Sequence, residues 1–393
     1  MNTLMALMVL LYATQAACIN PGLAFLPLAS YLSDSLGFSA AQLAGFQATV
    51  MLPWFTKPLW GILTDGFPLW GYRVKSYLAL CGVVIVASFI GLGCWPQPSA
   101  SVLMVGILMV STGVACADVL ADRLMVIEGR TQAGINRLQA AQWTGLGFTA
   151  IAMYGLGGWL ADGASLSWAF FLSALLPLLS LGWVLRHLPE KANYTITVKQ
   201  NWQRFWQALQ QPGLRQTLVW VVLIQVSPLP VDYPYQREVL AFDNTLIGQL
   251  KALEYLGLGL GAGAFGWGAR QWRLPLLPLA IIGSAIATLS LAFMQDATSA
   301  YGVYGIRGLA QAVGMLSLLG LIAARCPPGA EGFTYALMVS VSNLAMGIGL
   351  VMGGQLYDWG LSFAGVAAMG AGYLVLCGGA IALYARFTNV GRG

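Results

Sequence analysis

The chain is dominated by long apolar runs that are separated by short polar segments. Most of the runs hold about 20 residues with few or no charges, which is the length an α-helix needs to cross a bilayer. Twelve runs are found, near residues 4–32, 40–64, 75–95, 101–127, 135–160, 165–187, 214–236, 245–269, 274–295, 299–325, 332–356 and 361–387. This pattern predicts twelve transmembrane helices joined by polar turns.

The composition agrees with this interpretation. The chain of 393 residues is 58% hydrophobic and 8% charged, whereas soluble globular domains carry about 25% charged residues. So few charges cannot cover a protein with a solvated surface. We therefore predict an all-α polytopic membrane protein in contact with a lipid bilayer.

The net charge of +5 arises from a one-sided distribution of basic residues and does not indicate nucleic-acid binding. When alternate loops are placed inside, most Lys and Arg fall on that side, which is the positive-inside pattern. The opposite loops are acidic, with Arg237 as the basic exception. We expect both termini in the cytoplasm and the chain in the inner or plasma membrane of a cell.

The sequence lacks motifs for covalent or nucleotide chemistry. It contains no Gly-Lys-Ser/Thr phosphate loop, no dinucleotide fingerprint and no His-Glu-x-x-His motif. The six cysteines lack a metal-ligand spacing, and the single His187 is expected to be structural. We predict no enzyme activity, no cofactor and no metal, and we exclude ATP-driven pumping by this chain alone. The N-terminal apolar run, without a basic leader, is expected to be a first helix and not a signal peptide.

An internal repeat indicates two related halves. Residues 157–162 (Gly-Gly-Trp-Leu-Ala-Asp) match residues 353–358 (Gly-Gly-Gln-Leu-Tyr-Asp), half a chain length later. A weaker echo pairs residues 38–44 with residues 242–248. We expect an N-terminal half at 1–187, a cytoplasmic linker at 188–213 and a C-terminal half at 214–393. The linker pattern predicts an amphipathic helix on the inner membrane face.

Ionisable side chains inside the predicted spans are candidates for function. Each costs about 2.5–3.5 kcal/mol on insertion scales and needs a partner or a water-filled cavity. They are Lys57, Asp118, Asp122, Arg123, Lys251, Glu254 and Arg307. Helical spacing places polar residues on shared faces of four spans. These stripes are Tyr12, Gln15 and Gly22; Ser111, Ala115, Asp118 and Asp122; Gln225, Pro228, Asp232 and Gln236; and Tyr304, Arg307, Gln311 and Gly314.

Four stretches carry a family resemblance. The first comprises residues 57–61, Asp65, Pro68, residues 71–73 and Tyr77; the others are residues 32–43, residues 118–122 with Glu128 and Arg130, and residues 324–332 continuing to 340–344. In this order they resemble the signature of the folate-biopterin transporter family, a branch of the major facilitator superfamily (MFS). The resemblance covers most of the chain.

The resemblance implies a fold and a function. The fold would be of the MFS type, with twelve transmembrane helices in two pseudo-symmetric six-helix bundles. The function would be secondary active transport of folate- or pterin-type compounds by alternating access, with proton symport as an added expectation. Helices one, four, seven and ten would line the central cavity, so the polar stripes would face the cargo. We expect a single chain to suffice for transport.

Two interpretations of Asp118 and Asp122 stay open. As functional groups, they take up a proton during the cycle or accept hydrogen bonds from the amino-pyrimidine edge of a pterin. As structural groups, they pair with Arg123 or Arg130 and brace the inner gate. The family motif favours the structural interpretation for Asp122.

The remaining candidates follow from side-chain chemistry. Arg307 is the best candidate to hold a substrate carboxylate bidentately. Lys251 and Glu254, three positions apart, form either a satisfied ion pair on one helix or part of the site. The aromatic residues available to stack on a planar cargo are Trp54, Trp143, Tyr233, Tyr235, Tyr255 and Tyr304, of which Trp143 and Tyr304 are assigned to the site. Hydrogen bonding is assigned to Gln15, Gln142, Gln225, Asp232, Gln311 and Asn343.

The resemblance places a gate at the inner ends of the helices. Its predicted residues are Lys57, Asp65, Arg73, Lys75, Glu128 and Arg130. Two alternatives to a folate or pterin carrier remain. One is an MFS carrier of another small anionic or heterocyclic metabolite. The other is a membrane binding or assembly factor without transport, in which the cavity charges neutralise each other.

Overall fold

The computed structural model describes residues 2–18, 22–72, 74–129, 132–163, 165–188, 203, 206–207, 210, 212–271, 276–323, 325 and 331–390. Within these ranges the α-helices, numbered in chain order, are α1 (Asn2–Cys18), α2 (Phe25–Ser30), α3 (Ala40–Val50), α4 (Leu52–Phe55), α5 (Lys57–Gly66), α6 (Lys75–Gly93), α7 (Ala100–Gly129), α8 (Gln132–Gly163), α9 (Leu166–Ser173), α10 (Leu175–His187), α11 (Pro212–Gln225), α12 (Asp232–Pro234), α13 (Asn244–Gln271), α14 (Leu276–Ser290), α15 (Ala297–Ala323), α16 (Glu331–Asp358) and α17 (Phe363–Val390). Each predicted run contains at least one of them.

Several helical segments are long and apolar enough to cross a membrane. By length and apolar composition, seven spans qualify among the described residues. They are Lys75–Gly93, Ala100–Met125, Leu166–His187, Leu276–Phe293, Ala297–Ala323, Thr334–Asp358 and Phe363–Ala382. The predicted multi-pass α-helical class is therefore confirmed. The predicted linker at 188–213 and its interfacial helix lie mostly outside the described residues.

Proline breaks the second span twice. α3 ends at Val50, and Pro53 and Pro58 lie in the first turns of α4 and α5. Proline has no backbone N–H and its ring clashes with the preceding turn, so it is tolerated at a helix start but not in a helix interior. The Trp60 indole N–H donates to the carbonyl oxygen of Pro53 at 2.9 Å. The breaks make Lys57 the first residue of α5.

The first and seventh spans are also interrupted, which corrects two predicted stripes. The stripe from Tyr12 to Gly22 runs past the end of α1 at Cys18. The stripe from Gln225 to Gln236 crosses the non-helical gap at 226–231 between α11 and α12. Both stripes assumed one unbroken helix, so neither is a continuous helical face.

Contacts divide the chain into two compact units. Unit 1 comprises Met1–Gly37, Thr49–Arg204 and Asp243–Ala252, and unit 2 comprises Phe38–Ala48, Phe205–Phe242 and Leu253–Gly393. The start of α13 thus packs within unit 1, and the start of the second span packs within unit 2. Each unit has its own apolar core, with Met8 and Leu120 fully buried in unit 1 and Val221 and Ile322 fully buried in unit 2.

The gap in the seventh span packs directly against glycines of unit 2. The Leu229 N–H donates to the carbonyl oxygen of Gly349 at 3.0 Å, and the Ser227 hydroxyl donates to that of Gly370 at 2.9 Å. A Cβ added to Gly349, Gly353 or Gly370 would overlap a carbonyl oxygen of the gap. Non-helical backbone at membrane depth is tolerated only where protein buries it, and these glycines allow that burial.

Two glycines of α17 provide a matched test of this packing. A Cβ on Gly370 would overlap the carbonyl oxygen of Pro228, whereas a Cβ on Gly372 meets no atom within 4 Å. We predict that Gly370→Ala lowers the apparent melting temperature in detergent, because overpacking costs about 1–3 kcal/mol. Gly372→Ala should leave it unchanged or raise it, since Ala favours helix by about 1 kcal/mol over Gly. Equal melting temperatures for the two variants would contradict this account of the gap.

Candidate functional site

A buried ion pair lies at the centre of unit 1. The Lys57 Nζ is 2.5 Å from Asp118 Oδ2, and the two side chains are 12% and 4% exposed. Lys57 reaches this position because the proline break restarts the second span at α5, while Asp118 projects from the middle of α7. The sequence assigned Lys57 to the gate and offered Arg123 or Arg130 as partners of Asp118, so this pairing was not anticipated.

Asp122 follows Asp118 by about one helical turn and is bound by neutral donors. The Tyr12 hydroxyl donates to Asp122 Oδ1 at 3.0 Å, and Gln142 Nε2 donates to the same oxygen at 3.5 Å. Tyr12 is 7% exposed and Gln142 is 1% exposed. Among the described members of this cluster, two carboxylates therefore share one cation, Lys57.

Trp54 and Gln15 lie beside this cluster. The Lys57 Nζ is 4.5 Å from the centroid of the Trp54 ring, a cation–π distance. The Trp54 indole N–H is buried and donates to no atom among the described residues. Gln15 lines an internal cavity of about 30 Å³ together with Tyr12 and Asp118. A cavity of this size holds a water molecule and is too small for a bicyclic ring.

A second buried cluster surrounds Arg307 in unit 2. Arg307 Nη1 is 3.3 Å from Asp232 Oδ2, and Arg307 Nε is 3.4 Å from Glu254 Oε1. The Tyr304 hydroxyl donates to Asp232 at 2.6 Å and accepts from Gln236 Nε2 at 2.8 Å. Tyr304 and Gln236 are both fully buried. This cluster joins α12, the π-helical turn Tyr235–Val239, α13 and α15.

The guanidinium of Arg307 is only partly used by these contacts. The second Glu254 oxygen accepts from Nη1 at 3.4 Å, so the described contacts engage Nε and Nη1 but not Nη2. The side chain is 22% exposed. Because guanidinium donors are arranged in a planar fork, the Nη2 end remains able to donate to a further anion.

Other predicted site residues lie apart from the two clusters. Gln311 follows Arg307 by one turn, and its buried Oε1 accepts no hydrogen bond among the described residues. Gln225 Nε2 donates to the Ser342 hydroxyl at 3.0 Å, next to the half-buried Asn343. Trp143 is 40% exposed.

Lys251 and Glu254 lie on the same helix, α13, but are assigned to different compact units. Lys251 groups with unit 1 and Glu254 with unit 2. The described ion pair of Glu254 is with Arg307, which lies on another helix. Spacing along one helix did not predict that pair.

The predicted gate is described only in part. Lys75 is the half-buried first residue of α6. Asp65 and Glu128 lie in helices, but their side chains are outside the described part of the structure, as are Arg73 and Arg130 altogether.

Tyr12 and Gln236 were not assigned to the site from the sequence, although the structure places them in the clusters. Trp54 was only one of the aromatic residues available for stacking, and it lies beside Lys57. Tyr12 and Gln236 were members of predicted polar stripes, and Trp54 was one of many aromatics in the spans. The usable signal was a polar or aromatic residue in an apolar run, which is too common to select three positions.

The sequence matches a known family and named relatives. A profile of the BT1 family matches residues 19–373. The chain is 27% identical over 370 residues to the "Folate-biopterin transporter" of Synechocystis sp. (strain ATCC 27184 / PCC 6803 / Kazusa), covering 86% of this chain and 72% of that protein. It is 23% identical over 408 residues to "Probable folate-biopterin transporter 4" of Arabidopsis thaliana, covering 83% of each.

Solved structures share the fold. The nucleoside transporter NupG superimposes with a TM-score of 0.69 at 15% identity, covering 98% of each chain. A D-xylose-proton symporter superimposes with a TM-score of 0.70 at 14% identity, covering 95% of this chain and 96% of the other. At this identity the likeness concerns the fold alone, and it confirms the predicted MFS-type architecture.

These relatives and structures are transporters and not enzymes, as the sequence predicted. With its apolar spans and its MFS-type fold, the protein is an integral, multi-pass membrane protein. The family profile covers most of its length, and the chain belongs to the BT1 family.

Proposed function

We propose that this protein is a secondary transporter that moves folate- or pterin-type compounds across a membrane by alternating access. Membership of the BT1 family, the names of the relatives and the MFS-type fold support this proposal. The sequence holds no nucleotide-binding motif, so the driving force comes from a gradient. The positive-inside pattern supports cytoplasmic termini in an inner or plasma membrane, and one chain acts as the transporting unit.

The single observation that carries the proposal is the partly used guanidinium of Arg307. Asp232 and Glu254 fix Nη1 and Nε, and the Nη2 donors have no described partner. Folates carry carboxylates on their glutamyl part, and a planar guanidinium fork suits a carboxylate. We assign Arg307 to the cargo carboxylate, with Tyr304 and Gln311 of the same helix as candidate contacts.

Charge balance supports proton symport. An arriving anion adds another negative charge in a site of low dielectric, where uncompensated charge is costly. A proton that enters with the cargo offsets one of its negative charges.

We assign the coupling proton to the Asp118–Asp122 pair in unit 1. Lys57 neutralises Asp118, whereas the described partners of Asp122 are the neutral Tyr12 and Gln142. Asp122 is therefore the carboxylate whose charge has no described cationic partner. Protonation of Asp122 would remove that buried charge without breaking the ion pair.

The Asp122 carboxylate, whose described hydrogen-bond donors are neutral, also weighs against the non-transporting alternative. A binding or assembly factor would be expected to neutralise its buried charges completely. A carrier of another small anionic or heterocyclic metabolite would use the same Arg307 geometry, so the choice of cargo needs a direct assay.

The role of Arg307 can be tested by comparing cargoes in proteoliposomes. Arg307→Lys keeps the charge that Asp232 and Glu254 need but removes the planar fork. Loss of charge-assisted hydrogen bonds worth about 1.5–3 kcal/mol should lower folate uptake about tenfold or more. Uptake of biopterin, which has no carboxylate, should fall much less.

The matched control for this test is Arg186→Lys, because Arg186 is exposed at the end of α10. It should transport both cargoes at the wild-type rate. An equal loss of folate and biopterin uptake in Arg307→Lys would argue against a carboxylate contact. Absence of uptake of either cargo by the well-folded wild type would reject the proposed substrate class.

Proton coupling can be tested with Asp122→Asn. This change keeps the shape of the side chain but removes the group that binds the proton. Accumulation of folate driven by an inward proton gradient should be lost, while exchange of external for internal folate without a gradient should persist. The uptake rate should also become independent of pH.

Asp34→Asn is the control, since Asp34 is exposed and accepts from the nearby Ser30 hydroxyl. Its gradient-driven accumulation should equal that of the wild type. Gradient-driven accumulation in Asp122→Asn with an unchanged pH profile would remove Asp122 from the coupling mechanism.

A further inference from the structure

The acidic residue that closes the first copy of the sequence repeat caps the start of another helix. Asp162, in the last turn of α8, accepts from the backbone N–H groups of Asn244 and Thr245 at 3.0 and 2.6 Å. The Asn244 side-chain amide also donates to Asp162, at 2.9 Å. Asn244 and Thr245 are the first residues of α13, and all of these residues belong to unit 1. The carboxylate thus satisfies N–H groups that have no partner within the helix.

The second copy of the repeat makes the corresponding contact in unit 2. Asp358, the last residue of α16, accepts from the Ser39 hydroxyl at 2.5 Å and from the Ala41 N–H at 3.2 Å. Ser39 immediately precedes α3, which begins at Ala40. The carboxylate at the end of the fifth predicted span therefore caps the start of the eighth span. In the same way, the carboxylate at the end of the eleventh span caps the start of the second span.

The two capped helix starts also correspond in their local structure. Gly37 and Ala241, two residues before Ser39 and Asp243, have positive φ values of 67° and 54°. The Asp243 carboxylate accepts from the Leu246 N–H at 2.7 Å, and the Ser39 hydroxyl accepts from the Gln42 N–H at 3.3 Å. Each start therefore has a local N-cap in addition to the distant carboxylate.

Close backbone approach accompanies each cap. A Cβ on Gly158, four residues before Asp162, would overlap the carbonyl oxygen of Asn244. A Cβ on Gly354, four residues before Asp358, would lie 2.9 Å from the carbonyl oxygen of Ala40 and 3.0 Å from the Ala44 side chain. The same glycine-to-acid spacing thus produces the same packing twice.

We propose that Asp162 and Asp358 are paired gating residues, whose caps on α13 and α3 hold one end of the carrier closed. The inference rests on the proposed alternating-access transport. In the second span, residues 38–48 belong to unit 2 and the residues that follow belong to unit 1. In the eighth span, residues 243–252 belong to unit 1 and the residues that follow belong to unit 2. Opening of this end requires both starts to leave the packing that they make here, and both caps break in that step.

The caps are distinct from the proposed proton-coupling group. Partial burial raises the pKa of Asp162, but hydrogen bonds from Thr245 and Asn244 outweigh it, and the net pKa lies below its ordinary value. A carboxyl whose pKa is lowered on folding contributes stability above its ordinary pKa and loses it as the pH falls through the lowered value. The Asp162 cap therefore stays charged at neutral and mildly acidic pH.

Chemical labelling of a buried position can test the gate. Ala44 is fully buried in α3, so Ala44→Cys should react slowly with a membrane-impermeant maleimide while this end is closed. The background needs Cys94→Ser and Cys326→Ser, because Cys94 is exposed, whereas Cys18, Cys81, Cys116 and Cys377 are buried. Reconstituted protein would be labelled from the side that carries Asp162 and Asp358.

We expect Asp358→Asn and Asp162→Asn each to raise the labelling rate about fivefold or more, as the equilibrium shifts toward the open end. The Asp162 variant decides the matter, because Asp162 belongs to unit 1 and Ala44 to unit 2. Local fraying of α3 alone would leave the labelling rate of Asp162→Asn unchanged. The control is Asp296→Asn, since the Asp296 carboxylate caps its own helix, α15, through the Ser299 N–H at 2.7 Å. Its rate should equal that of the background.

Wild-type labelling rates in Asp162→Asn would overturn the paired gate, whatever Asp358→Asn does. Size-exclusion profiles establish folding. If Asp358→Asn does not fold, Ser39→Ala removes one donor to Asp358 and should raise the rate in the same direction. Labelling needs no cargo, so a raised rate without folate uptake would reject the proposed substrate while keeping the gate.

Discussion

The need to neutralise buried charge is the constraint on which the rest of the structure depends. A charged side chain in a membrane span is costly unless other groups compensate it, and this chain places several in its spans. Lys57 pairs with Asp118, and Arg307 pairs with Asp232 and Glu254. Each pair joins different helices, so the ion pairs fix which helix faces meet. The Asp122 carboxylate, whose described hydrogen-bond donors are neutral, is a group that a proton-coupled carrier can use.

Breaks in the helices place these charges. Pro53 and Pro58 restart the second span so that Lys57 opens α5 and reaches Asp118. The gap before α12 presents Asp232 at a new helix start, where the Tyr304 hydroxyl and Arg307 meet it. If these spans were unbroken helices, Lys57 and Asp232 would lie at a different rotation about the helix axis and at a different depth. The glycines that bury the gap are therefore linked, through backbone packing, to the geometry of the anion site.

The sequence predicted the fold class and the runs that hold the helices, because apolar runs of membrane-spanning length are a direct requirement of the bilayer. It did not predict the partners of the charges. Spacing along one helix suggested Lys251 for Glu254 and gave no sign of Arg307, which pairs with Glu254 from another helix. Pairing between helices depends on their rotation and depth, which packing decides. The repeat at Asp162 and Asp358 was visible in the sequence, whereas the helix starts that these residues cap were not.

An experimental structure of the protein with bound folate would test the central claim most directly. The account predicts a cargo carboxylate within hydrogen-bonding distance of Arg307 Nη2, with Asp232 and Glu254 still holding the opposite side of the guanidinium. Folate bound elsewhere, with Arg307 contacted by Asp232 and Glu254 alone, would contradict it and would leave the cluster with a purely structural role.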